Sequence, residues 1–187
     1  MRRLKSSNDG STLVLLVIII AFTAVLGISI LNISMNNYKI KKSNNELKKA
    51  FYISEDGLNK AYLRIYDLIC EASEDSVEVA DDYLIYYPED YSGASGVFIS
   101  NYKLYILSCI RNRVFSSGNP HTEVIGAGNL VFINDKLTVM VKSKYMSDLG
   151  IEKSIAADII ILVPDFNKIK SGETDLFTLL FFNGFDI

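Results

Sequence analysis

Few residues in this 187-residue chain have the type and spacing that enzyme chemistry requires. The single histidine, His121, has no second histidine or closely spaced cysteine beside it, which disfavours a zinc site. Ser95, within the sequence GASG, is the nearest approach to a nucleophile elbow, but the first glycine is not at the required spacing. No glycine-rich phosphate loop follows a predicted strand. The sequence therefore predicts a protein that is not an enzyme and that needs no cofactor or metal.

Cys70 and Cys109 are the two cysteines, and two states stay open for them. If this part of the chain lies outside the membrane, the oxidising surroundings permit a disulfide between them. Closing a loop of that length would contribute about 3–4 kcal/mol in the chain-entropy model. Alternatively, each thiol is a small buried apolar group, because cysteine is often buried unpaired and Cys70 adjoins Ile69 on an apolar face.

Acidic residues are concentrated in one part of the chain. Residues 65–102 contain nine acidic residues and no lysine or arginine. Those in the segment 71–90 are Glu71, Glu74, Asp75, Glu78, Asp81, Asp82, Glu89 and Asp90. Carboxylates are calcium ligands, but the regular Asp-x-Asp-x-Asp-Gly spacing of a calcium loop is missing. A solvated acidic segment is therefore favoured over a calcium site.

The elements that would position these residues begin with an apolar run near the N-terminus. No charged residue occurs from Gly10 to Tyr38, and only Thr23, Gly27 and Ser29 interrupt the apolar stretch 13–31. As a helix, residues 13–31 would be about 28 Å long, close to the hydrocarbon thickness of a bilayer. No second run of this length exists. The pattern predicts a single-pass membrane protein and excludes purely cytosolic, disordered and polytopic proteins.

A short basic leader, MRRLKSSNDG, precedes the apolar run and ends in Gly10. Counting lysines and arginines does not settle the orientation, because they lie on both sides of the run. The junction resembles that of type IV prepilins, in which a dedicated peptidase cuts after this glycine on the cytoplasmic face and methylates the new N-terminal amine. This resemblance implies cleavage after Gly10, N-methylation of Ser11 and an extracytoplasmic position for the rest of the chain.

A second motif, AFYISEDGLNKA at residues 50–61, extends the resemblance to the PilX N-terminal family of minor pilins. The family pattern is Ala-Phe-x-x-(small)-Glu-x-Gly-Leu-x-x-Ala, and the match covers roughly residues 10–62. It implies an α+β, pilin-like fold, in which one long helix with a transmembrane first half packs on an antiparallel sheet. The implied partners are the membrane, prepilin peptidase, other major and minor pilins and the pilus assembly platform, with no direct contact to nucleic acid.

The chain departs from the major pilins at Leu15. In major pilins, the fifth residue of the mature chain is a glutamate, which is thought to pair with the N-terminal ammonium of a neighbouring subunit. A buried ammonium without its carboxylate is costly, which argues against a subunit repeated along a filament. A tip or initiation position and the replacement of this pair by other contacts are equally favoured.

Glu55 lies within the second motif, in the gap of an apolar helical stripe. One interpretation is a carboxylate at the seam between helix and head, or at a contact between subunits. The favoured alternative is a solvated glutamate at the edge of the stripe, because carboxylates are seldom buried without a partner.

The apolar positions after the run recur at helical spacing and predict that the helix continues to about Ala72. They are Leu47, Phe51, Leu58, Tyr62, Ile65 and Ile69. The predicted domains are a leader (1–10), a transmembrane and assembly helix (11–38), its amphipathic continuation (39–73) and a β-rich extracytoplasmic head (74–187).

The head is predicted to be an antiparallel meander of short strands. The predicted strands are Tyr83–Tyr87, Tyr102–Phe115, Leu130–Ile133, Leu137–Tyr145 and Ile151–Val163, with a loop from Pro88 to Gly96. The apolar run Leu176–Phe182 is either a last buried strand, which is favoured, or an exposed patch that docks another minor pilin.

These observations predict a membrane-inserted minor pilin that is processed by prepilin peptidase and helps to initiate or cap a type IV pilus or pseudopilus. The rival hypothesis is an unprocessed single-pass anchor that displays a β-rich binding or adhesion domain.

Overall fold

The computed structural model describes residues 9–111 and 113–186 of the chain. The chain divides into two units, Met1–Glu46 and Leu47–Ile187, each of which is treated by itself below. Helix α1, Asp9–Tyr86, contributes to both units. The first proline of the chain is Pro88. A proline disfavours the helical conformation of the residue before it, which is Tyr87, so α1 ends at Tyr86.

The second unit combines helices with one antiparallel sheet. After α1 come α2 (Tyr91–Ile110), β1 (Val114–Ser116), β2 (His121–Ile125), β3 (Lys136–Met146), β4 (Glu152–Leu162), α3 (Phe166–Lys170) and β5 (Leu180–Asp186). Two 3₁₀ turns, Ala127–Asn129 and Leu176–Leu179, lie between strands. The strands pair antiparallel in the order β1-β2-β3-β4-β5. The predicted α+β class and the antiparallel meander are both confirmed.

The hairpin predicted around Asn134 and Asp135 is confirmed only in part. Asn134 and Asp135 have φ values of 48° and 59°, as a tight hairpin turn requires. The predicted strand Leu130–Ile133 is wrong, because only Ile133 pairs, in an isolated bridge with Lys136. The later hairpin is confirmed, since β3 and β4 pair along their whole length through the turn at residues 147–151.

The core of the second unit lies between α1, α2 and the inner face of the sheet. On α1, Leu58, Ile65 and Ile69 are fully buried, whereas Leu47 is 44% exposed. The predicted apolar stripe of α1 is thus confirmed from Phe51 onward, where the sheet covers it. The inward side chains of β3 and β4 alternate, as a half-buried sheet requires.

The predicted strand Tyr102–Phe115 is wrong, because most of it belongs to helix α2. The buried positions of α2 are four residues apart, at Ala94, Phe98, Tyr102, Ile106 and Ile110. The β-branched and aromatic composition of the segment suggested a strand, but this spacing places one apolar face on a helix. Only the short strand β1 remains of the prediction.

Two neighbouring predictions fail for a related reason. The predicted strand Tyr83–Tyr87 is wrong, because α1 continues through it to Tyr86 and so runs beyond the predicted end near Ala72. Buried Ala72, Ser76 and Ala80 continue the inward face of α1 at helical spacing. The predicted loop from Pro88 to Gly96 is shorter than expected, because Asp90 caps α2 by accepting a hydrogen bond from the Gly93 N–H.

The C-terminal apolar run is divided between two elements. Leu176–Leu179 forms a 3₁₀ turn, and β5 begins only at Leu180. Leu179 and Leu180 are buried, while Phe177 and Phe181 are exposed. A buried last strand is therefore correct for only part of the run.

Candidate functional site

The first part of α1 is apolar on every side and is exposed throughout. Residues 11–44 are all exposed, and Leu13 and Leu31 are 66% and 64% exposed. A helix of the fold's own core would bury such side chains. A helix that is hydrophobic all round requires apolar surroundings, which a bilayer or a bundle of similar helices supplies.

The few polar side chains in this apolar part satisfy their own hydrogen bonds. The Thr23 hydroxyl donates to the carbonyls of Ile19 and Ile20 at 3.0 and 2.9 Å. The Ser29 hydroxyl donates to the Val25 carbonyl at 2.8 Å. Because a bilayer interior supplies no water to pair with, hydroxyls bonded to their own helix are suited to it.

Within the described residues, this is the one helix that is long and apolar enough to cross a membrane, judged by length and composition. None of its most apolar window is buried in the protein. The window is therefore compatible with a single-pass membrane anchor and is not a core helix of this fold.

The predicted processing site lies at the start of α1. Gly10 is the second residue of the helix, and residues 1–8 of the predicted leader lie outside the described residues. Ser11 and Leu15 are one helical turn apart, so they lie on the same face, and both are exposed. Leu15 is 58% exposed. Neither position is covered by the rest of the described chain.

The second motif forms part of the contact between α1 and the sheet. Its small residues Ala50, Ser54, Gly57 and Ala61 are all fully buried. They are spaced by 4, 3 and 4 residues, which places them on one face of the helix. Small side chains on that face let the helix backbone approach the strands closely. Sequence reasoning missed this role, although the heptad spacing of small residues was the signal for it.

At Gly57 the helix backbone lies close to side chains of β2 and β3. A Cβ atom added there would lie 2.8 Å from Thr122 Oγ1 and 3.1 Å from Pro120 Cγ, and closer still to Ser143 Oγ. The neighbouring Ser54 hydroxyl donates to the Lys153 carbonyl at 3.1 Å. Glycine is therefore required at position 57 by packing against β2 and β3.

Glu55 lies beside this contact and not within it. Its side chain is half-buried, between buried Ser54 and buried Gly57 in the sequence. Among the described residues it makes no ion pair. Its place fits the solvated edge of the stripe, and an assembly role for Glu55 stays a prediction.

The two cysteines lie on different helices of the second unit. Cys70 on α1 and Cys109 on α2 are both half-buried thiols in this structure. Hydrogen bonding with Cys70, followed by partial desolvation, raises the pKa of Tyr66 above its ordinary value. Burial, with a smaller contribution from Cys70, raises the pKa of Tyr102. Their pairing in a disulfide stays a prediction.

The acidic residues of segment 71–90 are distributed among separate contacts. Asp75 accepts a hydrogen bond from Asn101 at 2.6 Å, and Asp81 pairs with Lys170 at 2.5 Å. Glu71 accepts from the Tyr105 hydroxyl at 3.3 Å. Within residues 9–111 and 113–186, no group of three or more metal-ligating side chains is close enough to hold an ion.

His121 and Ser95, the remaining candidates for catalytic residues, lie on different elements. His121 on β2 lies with its Nε2 3.4 Å from Glu123 Oε2 on the same strand. Ser95 lies near the start of α2, so it is not on a strand-to-helix turn of the kind that a nucleophile elbow needs. Within residues 9–111 and 113–186, no hydrogen bond or ion pair joins Ser95, His121 and a cysteine.

Comparisons of the chain with protein-family models, with curated proteins and with solved structures give no significant match. The functional interpretation therefore depends on the geometry of α1 and on the two sequence motifs that this helix carries.

Proposed function

We propose that this chain is a minor pilin of the PilX-like class. It is inserted in the membrane with the leader in the cytoplasm and the second unit outside, and it is cut after Gly10 by prepilin peptidase and methylated at Ser11. The processed chain then joins a type IV pilus or pseudopilus through its apolar helix and helps to initiate or cap the filament.

The observation that carries the proposal is the difference in burial between the first and second parts of α1. Residues 10–38 carry no charge and residues 11–44 are exposed, while from Ala50 to Ala80 one face of the helix is buried against the rest of its own unit. A membrane anchor alone needs no particular residue at its start. Here the apolar run begins directly at the Gly10–Ser11 junction, and the second motif forms part of the contact with the sheet, which together support a pilin-type subunit.

Leu15 supports the initiating or capping position. The segment 10–38 contains no carboxylate that could pair with a neighbour's N-terminal ammonium. A subunit that has no neighbour ahead of it does not need this partner. The partner peptidase, the other pilins and the assembly platform follow from the same proposal.

The test is N-terminal analysis of the full chain produced with and without an active prepilin peptidase. We expect loss of the first ten residues and a methylated Ser11 only when the peptidase is present. Gly10→Val should block the cleavage, and Gly27→Val, placed where an added side chain meets nothing within 4 Å, is the matched control. A chain that still begins at Met1 beside an active peptidase would overturn the proposal.

That result would favour the second candidate, an unprocessed single-pass anchor that displays a binding domain. The observation behind it is that the exposed apolar helix and the separately packed second unit would serve an anchor equally well. The binding domain would then be an α+β unit and not the β-rich domain expected from the sequence.

A further inference from the structure

The turn between α1 and α2 exposes several aromatic side chains. We use the name hairpin end for residues 78–91, which comprise the last turns of α1, the connecting loop and the start of α2. Tyr86, Tyr87 and Tyr91 are 79%, 58% and 58% exposed, and Ile85 is also exposed. Exposed tyrosines are among the side chains that most often supply binding energy at protein interfaces. The hairpin end therefore has the composition of an interaction surface.

Carboxylates lie next to these rings. Asp82 precedes Tyr86 by one helical turn, and Glu78 precedes Asp82 by another, so the three side chains share one face of α1. Both carboxylates are exposed, as is Glu89 in the loop. No lysine or arginine occurs from residue 65 to residue 102, and the one ion pair that the described residues show at the hairpin end joins Lys170 of α3 to Asp81. Glu78, Asp82 and Glu89 make no ion pair among the described residues, so this face keeps negative charge.

The tyrosines project from a well-ordered support. The Tyr83 hydroxyl donates to Asp90 Oδ2 at 2.7 Å, and Asp90 Oδ1 accepts from the Gly93 N–H at 2.8 Å. The rings of Tyr83 and Tyr87 pack with their centroids 4.8 Å apart. Beneath them, a second apolar core is formed by Ala80, Ala94, Phe98 and Phe166. These hydrogen bonds and this packing hold the loop between α1 and α2 in one conformation, which lowers the entropy cost of binding a partner.

We propose that the hairpin end binds a basic segment of a protein partner. Lysine or arginine side chains of that segment pair with Asp82 and Glu89 and lie over the ring faces of Tyr86 and Tyr91, which attract cations. Charge complementarity decides the class of partner. Anionic lipid headgroups and nucleic acid are repelled by the carboxylates, whereas a cationic peptide is attracted by both kinds of side chain. This inference is independent of the processing at Gly10.

The experiment uses the full chain in neutral detergent micelles and a fluorescent peptide as the probe. The peptide YKIKKSNNELKK, which corresponds to residues 38–49, has five lysines and one glutamate. Fluorescence anisotropy should show saturable binding. Two double variants, Tyr86→Ser with Tyr91→Ser and Asp82→Asn with Glu89→Gln, should each weaken binding by about tenfold.

The matched control makes the same kinds of change elsewhere on the surface. Tyr52→Ser combined with Asp148→Asn removes one exposed tyrosine and one exposed carboxylate outside the hairpin end, and we expect it to leave the affinity unchanged. Equal weakening by the control, or full binding by the double tyrosine variant, would mean general charge attraction and would overturn the proposal. Absence of binding, or equal binding of a peptide with every lysine replaced by glutamate, would overturn it as well.

Discussion

Two parts of the same helix, α1, differ in composition and in what surrounds their side chains. In residues 11–44 every side chain is exposed, and most are apolar up to Tyr38. From Ala50 to Ala80, most of the apolar and small residues lie on one face, and that face is buried, whereas Leu63 and Val79 are exposed. The backbone is helical in both parts, so helix formation does not distinguish them. The distribution of apolar residues around the axis decides whether each part packs within the protein or requires an external apolar environment.

The largest effect expected from this comparison is on folding. Ile65→Ala should lower the free energy of unfolding of the second unit by about 2–5 kcal/mol, because a fully buried side chain is truncated in a packed core. Ile18→Ala removes the same atoms from an exposed position and should leave that free energy unchanged. Denaturant unfolding of the full chain in micelles, followed by near-ultraviolet circular dichroism, measures both. Equal destabilisation by the two variants would show that the first part also packs within the protein.

The second effect concerns membrane insertion, for which a substitution in the first part of α1 should matter and one in the second part should not. Ile20→Asp should disfavour insertion by about 3 kcal/mol, because a carboxylate would lie in the hydrocarbon core. Tyr52→Asp introduces the same charge at an exposed position of the second part and should not affect insertion. Carbonate extraction of membranes separates inserted from peripheral protein. A Tyr52→Asp chain that is extracted more readily than the Ile20→Asp chain would contradict the assignment of a membrane span.

Much of this division was predictable from the sequence, and the reasons differ from element to element. The apolar run, the Asn134–Asp135 turn and the β3–β4 hairpin each depend on local composition and alternation, which are visible in a short window. Helix α2 was missed because β-branched and aromatic residues fit either structure. The spacing of Ala94, Phe98 and Tyr102 decides between them only when the window extends back into the predicted loop.

The second motif was predicted from the sequence, but its contacts with the sheet were not, and the reason is physical. The second motif could be found by its pattern, but the sequence does not show which residues touch the sheet. Gly57 is required because Thr122 and Pro120, distant in the chain, approach its backbone. Glu55 is the charged residue of the motif, yet its buried neighbours Ser54 and Gly57 make the contact with the sheet. Proximity between distant segments is a property of the fold that no single-sequence pattern contains.

A smaller effect compares Gly27 and Gly57, one in each part of α1. Gly57→Ala should destabilise the second unit by about 1–3 kcal/mol, because the new methyl group overlaps side chains of β2 and β3. Gly27→Ala meets nothing within 4 Å and should be neutral or slightly favourable for the helix. Thermal unfolding of the two variants provides the measurement. A neutral Gly57→Ala would show that the sheet does not approach the helix as closely as the structure indicates.

The smallest expected effect is a response to acid that is confined to the second unit. The segment 10–38 has no acidic or basic side chain, whereas Asp90 in the second unit caps α2. Hydrogen bonds from the Gly93 N–H and then from the Tyr83 hydroxyl hold the pKa of Asp90 below its ordinary value. A carboxyl group with a lower pKa in the folded state stabilises the fold at pH values above its unfolded pKa. That contribution is lost as the pH falls through the folded value, because the protonated group binds the two donors less well.

Replacing the titrating group tests this sign. Asp90→Asn keeps a side chain that can cap the helix but removes its titration, so it should flatten the loss of stability of the second unit below about pH 4. Glu46→Gln, a change of the same kind in the first unit, is the control and should leave the pH profile unchanged. Thermal unfolding between pH 2 and pH 7, at constant ionic strength, supplies the profile. If the wild type and the Asp90→Asn variant lose stability in parallel, other carboxylates cause the acid response, and the cap at the start of α2 contributes no pH dependence.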